Sequence, residues 1–211
     1  MNPIFITGIG TDVGKTVVSA IVTEALGATY WKPVQAGFEQ GTDTEWVGAR
    51  ISSGSVAAEV YKLRVPASPH IAAREEGVVI SLQKILAGMP SQRPLVVEGA
   101  GGLMVPLNES EFIIDLIKIL NAKVLLVSRN YLGSINHSLL TAGACKAHGL
   151  EIAGWIFNGD PSGYEKEIAG WSGMDWCGAI PLTENPDKDF IREQARLIRP
   201  ALLSRISPTF T

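Results

Sequence analysis

The feature that most constrains this chain is a glycine-rich segment near its start. Residues Gly8–Thr16 read Gly-Ile-Gly-Thr-Asp-Val-Gly-Lys-Thr and follow the apolar run Ile4–Thr7. Glycines let several backbone N–H groups approach one polyphosphate, a lysine neutralises the β- and γ-phosphates, and a threonine hydroxyl can ligate Mg²⁺. The segment therefore predicts a strand, a phosphate-binding loop and the start of a helix.

The loop is a lengthened form of the usual phosphate-binding pattern. That pattern has four residues between its two glycines and would need a glycine at position 9, where Ile9 stands. A glycine-rich β-turn with a chance Gly-Lys-Thr is the alternative, but the strand before it and the helix after it favour phosphate binding. A dinucleotide-binding fingerprint fits less well, because position 13 is Val13 and Lys15 follows the last glycine.

Length and composition exclude several classes of protein. The 211 residues suit one α/β domain, and a net charge of −3 leaves no basic surface for nucleic acid. Cys145 and Cys177 have neither the spacing nor the nearby histidines of a zinc site. The first residues lack a basic, apolar signal sequence, and no window approaches the ~18 apolar residues of a membrane helix. We therefore expect a cytoplasmic protein.

Short apolar runs alternate with longer helical patterns along the chain. The predicted strands are Ile4–Thr7, Thr29–Lys32, Leu95–Glu98, Val124–Ser128, Ile152–Asn158 and Gly178–Ile180. The predicted helices between them are Thr16–Leu26, Phe112–Leu120, Ile135–Ala147, Tyr164–Trp171 and Lys188–Ser204. This alternation predicts an α/β fold: one doubly wound, mostly parallel sheet of the P-loop NTPase type, forming a single domain over residues 1–211.

The stretch Phe38–Pro94 is less regular than the rest. It contains predicted helices at Asp43–Ser52 and Ser81–Gly88, with a loop around Pro66–Pro69. We expect residues 38–94 to form a long insertion between the second and third strands, at the edge of the site.

Acidic residues suited to a metal occur at two positions. Glu98 ends a buried strand, where open α/β sheets bind their ligands, and Gly99-Ala100-Gly101-Gly102 allows close approach of a phosphate. The alternative is a strand-ending glutamate before a flexible turn. Asp43 is either a second metal ligand or only the N-cap of the helix that follows it.

Lys32 closes the second predicted strand. It is either a solvated strand end or, since parallel strands emerge at one edge, a second cation beside Lys15. Two lysines there would suit an anionic reacting group.

Several short motifs occur together in one order, from residue 4 to about residue 186. They are Gly8–Thr16, Lys32-Pro33-Val34-Gln35-Ala36-Gly37, Ser68-Pro69-His70, Val97-Glu98-Gly99-Ala100-Gly101-Gly102, Gly133-Ser134-Ile135-Asn136-His137, Ala153-Gly154-Trp155-Ile156-Phe157-Asn158, Ile180-Pro181-Leu182 and Glu184-Asn185-Pro186. In this combination the chain resembles the dethiobiotin synthetase family.

The resemblance implies a homodimeric enzyme that converts 7,8-diaminononanoate, CO₂ and MgATP into dethiobiotin, ADP and phosphate. It implies Thr16, Asp43 and Glu98 as Mg²⁺ ligands and Lys15 and Lys32 as the catalytic cations. The nucleotide-binding residues that it implies are Asp12, Val13, Gly14, Lys15, Thr16, Val17, Asp43, Glu98, Gly99, Ala100, Gly101, Asn158, Gly159, Pro181, Leu182 and Glu184.

The same resemblance implies a substrate site at Gly133, Ser134, Ile135 and Asn136, which would bind the carboxylate tail across the dimer interface. The chain departs from the family at Ala36, where a serine or threonine often contacts the substrate. Gln35 is then the candidate for that polar contact.

Other side chains are expected to serve structure. His70 and His137 are interpreted as structural or substrate-flanking rather than as general bases, because the chemistry needs no covalent nucleophile. The tryptophans Trp31, Trp46 and Trp155 are interpreted as packing residues.

Two other classes of protein share features with this sequence. A partition-type switch ATPase that acts by binding a partner is the main alternative, but Gly8–Asp12 lacks the additional lysine usual in those loops. An amidotransferase-linked cobyrinate-type synthetase would need a glutaminase domain, for which 211 residues leave no room.

Overall fold

The computed structural model describes residues 1–159 and 163–206. Its strands are β1 Ile4–Gly8, β2 Thr29–Trp31, β3 Val34–Ala36, β4 Ser55–Ala57, β5 Tyr61–Leu63, β6 Leu95–Gly102, β7 Lys123–Ser128, β8 Ile152–Asn158 and β9 Trp176–Ile180. Its helices are α1 Lys15–Leu26, α2 Asp43–Gly48, α3 Pro69–Glu75, α4 Leu82–Ala87, α5 Ile113–Ile119, α6 Ser134–Ala147, α7 Glu165–Ser172 and α8 Lys188–Ile206. Within these two ranges, no helix combines the length and the apolar character needed to cross a membrane.

Seven strands form one sheet in the order β4-β2-β6-β1-β7-β8-β9. Each pair of neighbours is parallel, and β1 lies in the middle between β6 and β7. Helices cover both faces, as parallel strands joined by crossover helices require. The predicted doubly wound α/β class is confirmed.

Alternating side chains of the central strands divide the core into two layers. On one face, Ile4 and Ile6 of β1 pack with apolar residues of α1 and α8. On the other face, Phe5 packs with Trp31 and with residues of α5, α6 and α7. Because successive side chains of a strand point to opposite faces, an apolar run with no polar alternation is what a doubly covered strand requires.

The stretch between β2 and β6 contains more regular structure than the sequence predicts. Strand β4 pairs with β2 and forms the edge of the main sheet, while β3 and β5 pair in a separate two-stranded sheet. None of these three strands is predicted from the sequence, because each has only three residues, too few for a period of two to be recognised. Helix α3 is not predicted either: it begins at Pro69, where only a loop is expected.

Strand register brings the ends of β1 and β2 close to Glu98, which lies inside β6. Ile6 of β1 pairs with Glu98 of β6, and Trp31 of β2 pairs with Val97. Lys32, the residue after Trp31, therefore emerges beside Glu98. The phosphate loop leaves β1 at the same edge of the sheet, just after Gly8.

Candidate active site

The phosphate loop wraps around the start of α1. Gly14 precedes the helix in a left-handed conformation, with φ of 87°. A side chain there would clash with Asn158, since a Cβ atom would lie 1.9 Å from its Nδ2. Asn158 Nδ2 donates to the carbonyl oxygen of Val13 at 3.2 Å, and Lys15 Nζ donates to that of Gly10 at 2.8 Å. These two hydrogen bonds hold the backbone of the loop in place.

Glu98 is the centre of a buried hydrogen-bond network. Its side chain is 1% exposed, and its Oε1 accepts from Thr16 Oγ1 and from Lys32 Nζ, each at 3.1 Å. Its Oε2 accepts from the Tyr30 hydroxyl at 2.9 Å. A carboxylate removed from water requires such donors, so Glu98 is held in one orientation beside the phosphate loop. The prediction that Glu98 ends its strand is wrong, because β6 continues through Gly102, and Glu98 is not followed by the flexible turn of the alternative interpretation.

Lys32 joins Glu98 to Asp43. Its ammonium group pairs with both carboxylates, and the residue is 7% exposed, so it is not a solvated strand end. Asp43 is the first residue of α2, and the N-cap is Thr42, whose hydroxyl accepts the Glu45 N–H at 3.1 Å. The interpretation of Asp43 as only an N-cap is therefore wrong, and its carboxylate faces Lys32.

Burial and charge shift three ionisable groups in this network. Burial lowers the pKa of Lys32, but the carboxylates of Glu98 and Asp43 outweigh burial, and the pKa lies above its usual value. Burial also lowers the pKa of Lys15, and the negative charge of Glu98 offsets only part of that decrease. Burial, followed by the nearby Glu98 charge, raises the pKa of Tyr30 well above its usual value, so the phenol remains a donor.

A cavity of about 970 Å³ opens over this network. It is large enough for a nucleotide together with a second small molecule. The sequence-predicted residues that line it are Asp12, Gly14, Lys15, Thr16, Val17, Lys32, Gln35, Asp43, Glu98, Ala100, Gly101 and Glu184. The structure thus brings together most of the predicted nucleotide, metal and catalytic residues.

Other predicted residues lie outside the lining of this cavity. Val13 and Gly99 pack inward, Val13 against Gly8 and Gly99 against Phe5. The remaining such residues are Asn158, Gly159, Pro181, Leu182, Gly133, Ser134, Ile135 and Asn136. Asn158 acts here on the phosphate loop, as described above.

Gln35 uses its amide to hold neighbouring backbone. Its Nε2 donates to the carbonyl oxygen of Gly37 at 2.8 Å, and its Oε1 accepts the Asp43 N–H at 3.2 Å. It is buried, and it lines the cavity beside Ala36. Gln35 therefore supports the start of α2 as well as facing the cavity.

The segment before α6 forms its own small network. Gly133 is left-handed, with φ of 100°, and α6 begins at Ser134. Ser134 is buried; its Oγ accepts the Tyr131 N–H at 3.3 Å and lies 3.3 Å from the Tyr164 hydroxyl. The Tyr131 hydroxyl lies 2.8 Å from His137 Nδ1. These contacts preorganise the helix start predicted to bind a carboxylate.

Two aromatic residues have a part in the site that the sequence does not predict. Tyr30 looks like one more apolar residue of a buried strand, and no sequence signal marks its hydroxyl as a partner of Glu98. Trp46 packs against the core, as predicted, but it also lines the cavity. Its position three residues after Asp43, on the same face of a helix, is the signal that could have found it. Trp31 and Trp155 do lie in the core, both fully buried.

Comparison with known proteins agrees with this geometry. A parallel sheet whose central strand ends in a Gly-Lys-Thr loop defines a P-loop nucleotide-binding protein. A family model described as "AAA domain" matches residues 2–188. At 49% and 43% identity to two proteins of that name over most of the chain, this chain belongs to the ATP-dependent dethiobiotin synthetase family.

Two relatives support the assignment to this family. A protein of Cytophaga hutchinsonii named "ATP-dependent dethiobiotin synthetase BioD" is 49% identical over 169 residues, covering 79% of this chain and 81% of the relative. A protein of the same name from Novosphingobium aromaticivorans is 43% identical over 191 residues, covering 89% of this chain and 92% of the relative.

Solved structures resemble the chain at the level of the fold. A putative plasmid partition protein from Borrelia burgdorferi, bound to AMPPNP, aligns with a TM-score of 0.61 at 12% identity, covering 97% of this chain and 99% of that one. A ParA family ATPase from Chlorobium tepidum aligns with a TM-score of 0.56 at 14% identity, covering 99% and 93%. At this identity the likeness concerns the fold alone.

Proposed function

We propose that this chain catalyses the ATP-dependent closure of a ureido ring, forming dethiobiotin from 7,8-diaminononanoate and CO₂. The observation that supports the proposal is a cluster on the central strands, beside the phosphate loop. There Lys15, Lys32, Thr16 and Glu98 line one cavity. Membership of the dethiobiotin synthetase family supports the particular reaction.

The oxygen atoms of the cluster suit Mg²⁺. Hydroxyl and carboxylate oxygens are the ligands that Mg²⁺ prefers, and it usually completes its shell with water and substrate phosphates. Thr16 Oγ1 lies 3.1 Å from Glu98 Oε1, and the Lys32 ammonium already joins Glu98 to Asp43, so this corner of the site favours positive charge. Thr16, Asp43 and Glu98 are the proposed ligands. When bound, Mg²⁺ would neutralise charge on the β- and γ-phosphates.

The reaction needs three bond-forming steps. One amine of the substrate adds to CO₂, giving a carbamate and releasing a proton. A carbamate oxygen attacks the γ-phosphorus of ATP and displaces ADP, which gives a mixed carbamic–phosphoric anhydride. The second amine attacks the carbonyl carbon, expels phosphate and closes the ring. No covalent intermediate with the protein is required.

The two lysines suit the charge that develops in these steps. Lys15 lies in the phosphate loop, and Lys32 lies between the two carboxylates at the sheet edge. We assign Lys15 to the phosphates and Lys32 to the carbamate and the transferring phosphoryl group. Preorganised cations in a site shielded from water are usually the dominant contribution to such transfers.

The substrate's carboxylate tail is assigned to the partner subunit. The backbone N–H groups at the start of α6 and the dipole of that helix favour an anion. Leu132 and Leu140 flank this start and are exposed in the single chain. Exposed apolar side chains near a helix start that favours an anion suit an interface between two copies, with the helix start of one copy facing the phosphate loop of the other.

The test is ATP turnover by the purified chain with and without diaminononanoate and bicarbonate. We expect ADP release to require all the substrates. Dethiobiotin should form in an amount equal to the ADP released. The Lys15→Ala variant should lose ~10²–10³ in rate. Diamine-independent turnover that instead responds to a protein partner would favour a switch ATPase and overturn the proposal.

A further inference from the structure

Trp46 occupies a place in the cavity that the sequence does not predict. Trp46 lines the cavity together with Thr16 and Val17, in the first turn of α1, and with Glu184 and Pro186. Trp46 is half-buried: it packs against the core and also lines the cavity. The part of Trp46 that lines the cavity is available to a molecule bound there.

Arg50 holds that tryptophan in place. Its guanidinium carbon lies 4.1 Å from the centroid of the Trp46 ring, and one of its terminal nitrogens donates to the Trp46 carbonyl oxygen at 3.3 Å. Arg50 Nε also donates to the carbonyl oxygen of Pro186 at 2.9 Å. The three residues thus link α2 to the loop after β9, across 136 positions of sequence.

The direction of a bound nucleotide follows from the loop. Its phosphates lie at Lys15 and Thr16, because the free N–H groups and the cation are there. Its base and ribose must then extend along the cavity, past the first turn of α1. Val17, Trp46 and Glu184 line the same cavity as Lys15 and Thr16.

We infer that Trp46, fixed by Arg50, is a contact for the base and ribose of the nucleotide. The inference rests on the proposed function, because it takes the cavity as a nucleotide site. An aromatic face against a base contributes affinity through stacking and apolar contact, and one face of this indole is already covered by the guanidinium. Trp46 thereby contributes to binding of the nucleoside and not of the phosphates.

The test compares a ligand that contains a base with a ligand that lacks one. The dissociation constants of ADP and of inorganic tripolyphosphate, each with Mg²⁺, are measured by calorimetry on the full chain. We expect Trp46→Ala to weaken ADP binding about tenfold and to leave tripolyphosphate binding unchanged. Trp46→Phe should keep most of the affinity for ADP. The matched control is Trp171→Ala, because Trp171 is exposed on α7 and outside the cavity lining.

Tryptophan fluorescence gives a second readout. ADP should change the emission of the wild type and of Trp171→Phe, and should change that of Trp46→Phe much less. Equal ADP affinity in wild type and Trp46→Ala would overturn the inference, as would an equal loss for ADP and tripolyphosphate, which would indicate a packing effect. A wild type that binds neither ligand would instead overturn the proposed function.

Discussion

At the scale of single residues, the most informative side chain is Lys32. It is buried, yet two carboxylates keep its pKa above the usual value, so it stays charged throughout the physiological range. A buried charge with two partners is costly to assemble and therefore marks a site rather than a surface feature. Burial also lowers the pKa of Lys15, but there the carboxylates offset only part of the effect, so the two lysines differ.

We expect Lys32→Ala to reduce kcat much more than it weakens ATP binding. Its charge is assigned to the reacting carbamate and phosphoryl group, and an interaction that strengthens in the transition state affects kcat first. Steady-state kinetics with a parallel measurement of nucleotide affinity would check this, with Lys118→Ala, at an exposed position, as control. Collapse of nucleotide affinity with normal turnover at saturation would reassign Lys32 to ground-state phosphate binding.

Tyr30→Phe should destabilise the fold although it removes one oxygen atom only. The ring is fully buried, so packing is kept, but Glu98 Oε2 loses its donor. A buried acceptor left without a partner costs about 1–3 kcal/mol. The free energy of unfolding, measured by urea titration, should fall by this amount. Tyr131→Phe, which removes an exposed hydroxyl bonded to His137, should change it far less, and equal losses would contradict the assignment.

At the scale of elements, the site is built from three neighbouring strands and one short helix. Strands β2, β6 and β1 are neighbours in that order, so the ends of β1 and β2 place the phosphate loop and Lys32 beside Glu98, which lies inside β6. Helix α2 has six residues but carries Asp43 at one end and is followed by Arg50 just beyond the other. It is anchored at both ends by contacts within the site, which explains how a short helix is held in place.

The phosphate loop provides a prediction at this scale. Gly14→Ala forces a side chain into the left-handed region and onto Asn158, whereas a Cβ atom at Gly10 meets nothing within 4 Å. Left-handed strain for a residue with a side chain costs about 1–2 kcal/mol, and displacement of Asn158 adds to it. We expect Gly14→Ala to lower the thermal midpoint of the nucleotide-free protein and Gly10→Ala to leave it close to wild type. Equal midpoints for the two variants would show that the loop relaxes freely.

At the scale of the whole molecule, one chain holds only part of the proposed substrate site. The catalytic cluster and the helix start at α6 do not line the same cavity within one chain. A substrate with two amines at one end and a carboxylate at the other would span both sites in a two-fold symmetric dimer. The complete active site is thus proposed to be a property of the assembly.

Two inactive variants should therefore complement each other. Lys15→Ala disables the phosphate loop, and Asn136→Trp, at an exposed position, blocks the start of α6 without the disruption that a large residue at buried Ser134 would cause. Mixed heterodimers would contain one intact composite site, and up to about half of wild-type activity per heterodimer is expected. Each variant alone is the control. Inactivity of the mixture after verified subunit exchange would place the whole substrate site within one chain.

The sequence by itself determined the phosphate loop and the fold class. Both depend on residues near one another in the chain: glycines followed by Lys15 and Thr16, and apolar runs alternating with helical periods. The burial of six strands is visible in their composition, because strands covered on both faces lack polar alternation. The short strands β3, β4 and β5 left no comparable signal, since pairing with distant partners holds them.

Only the tertiary structure decided how the site is assembled. The order β2-β6-β1 brings Lys32 against Glu98 across 66 positions of sequence, and the contact of Tyr30 with Glu98 depends on the same neighbours. The distinction between Asp43 as a cap and as a partner of Lys32 required the geometry at Thr42. Such contacts depend on strand order and on the side each residue faces, which local spacing does not encode.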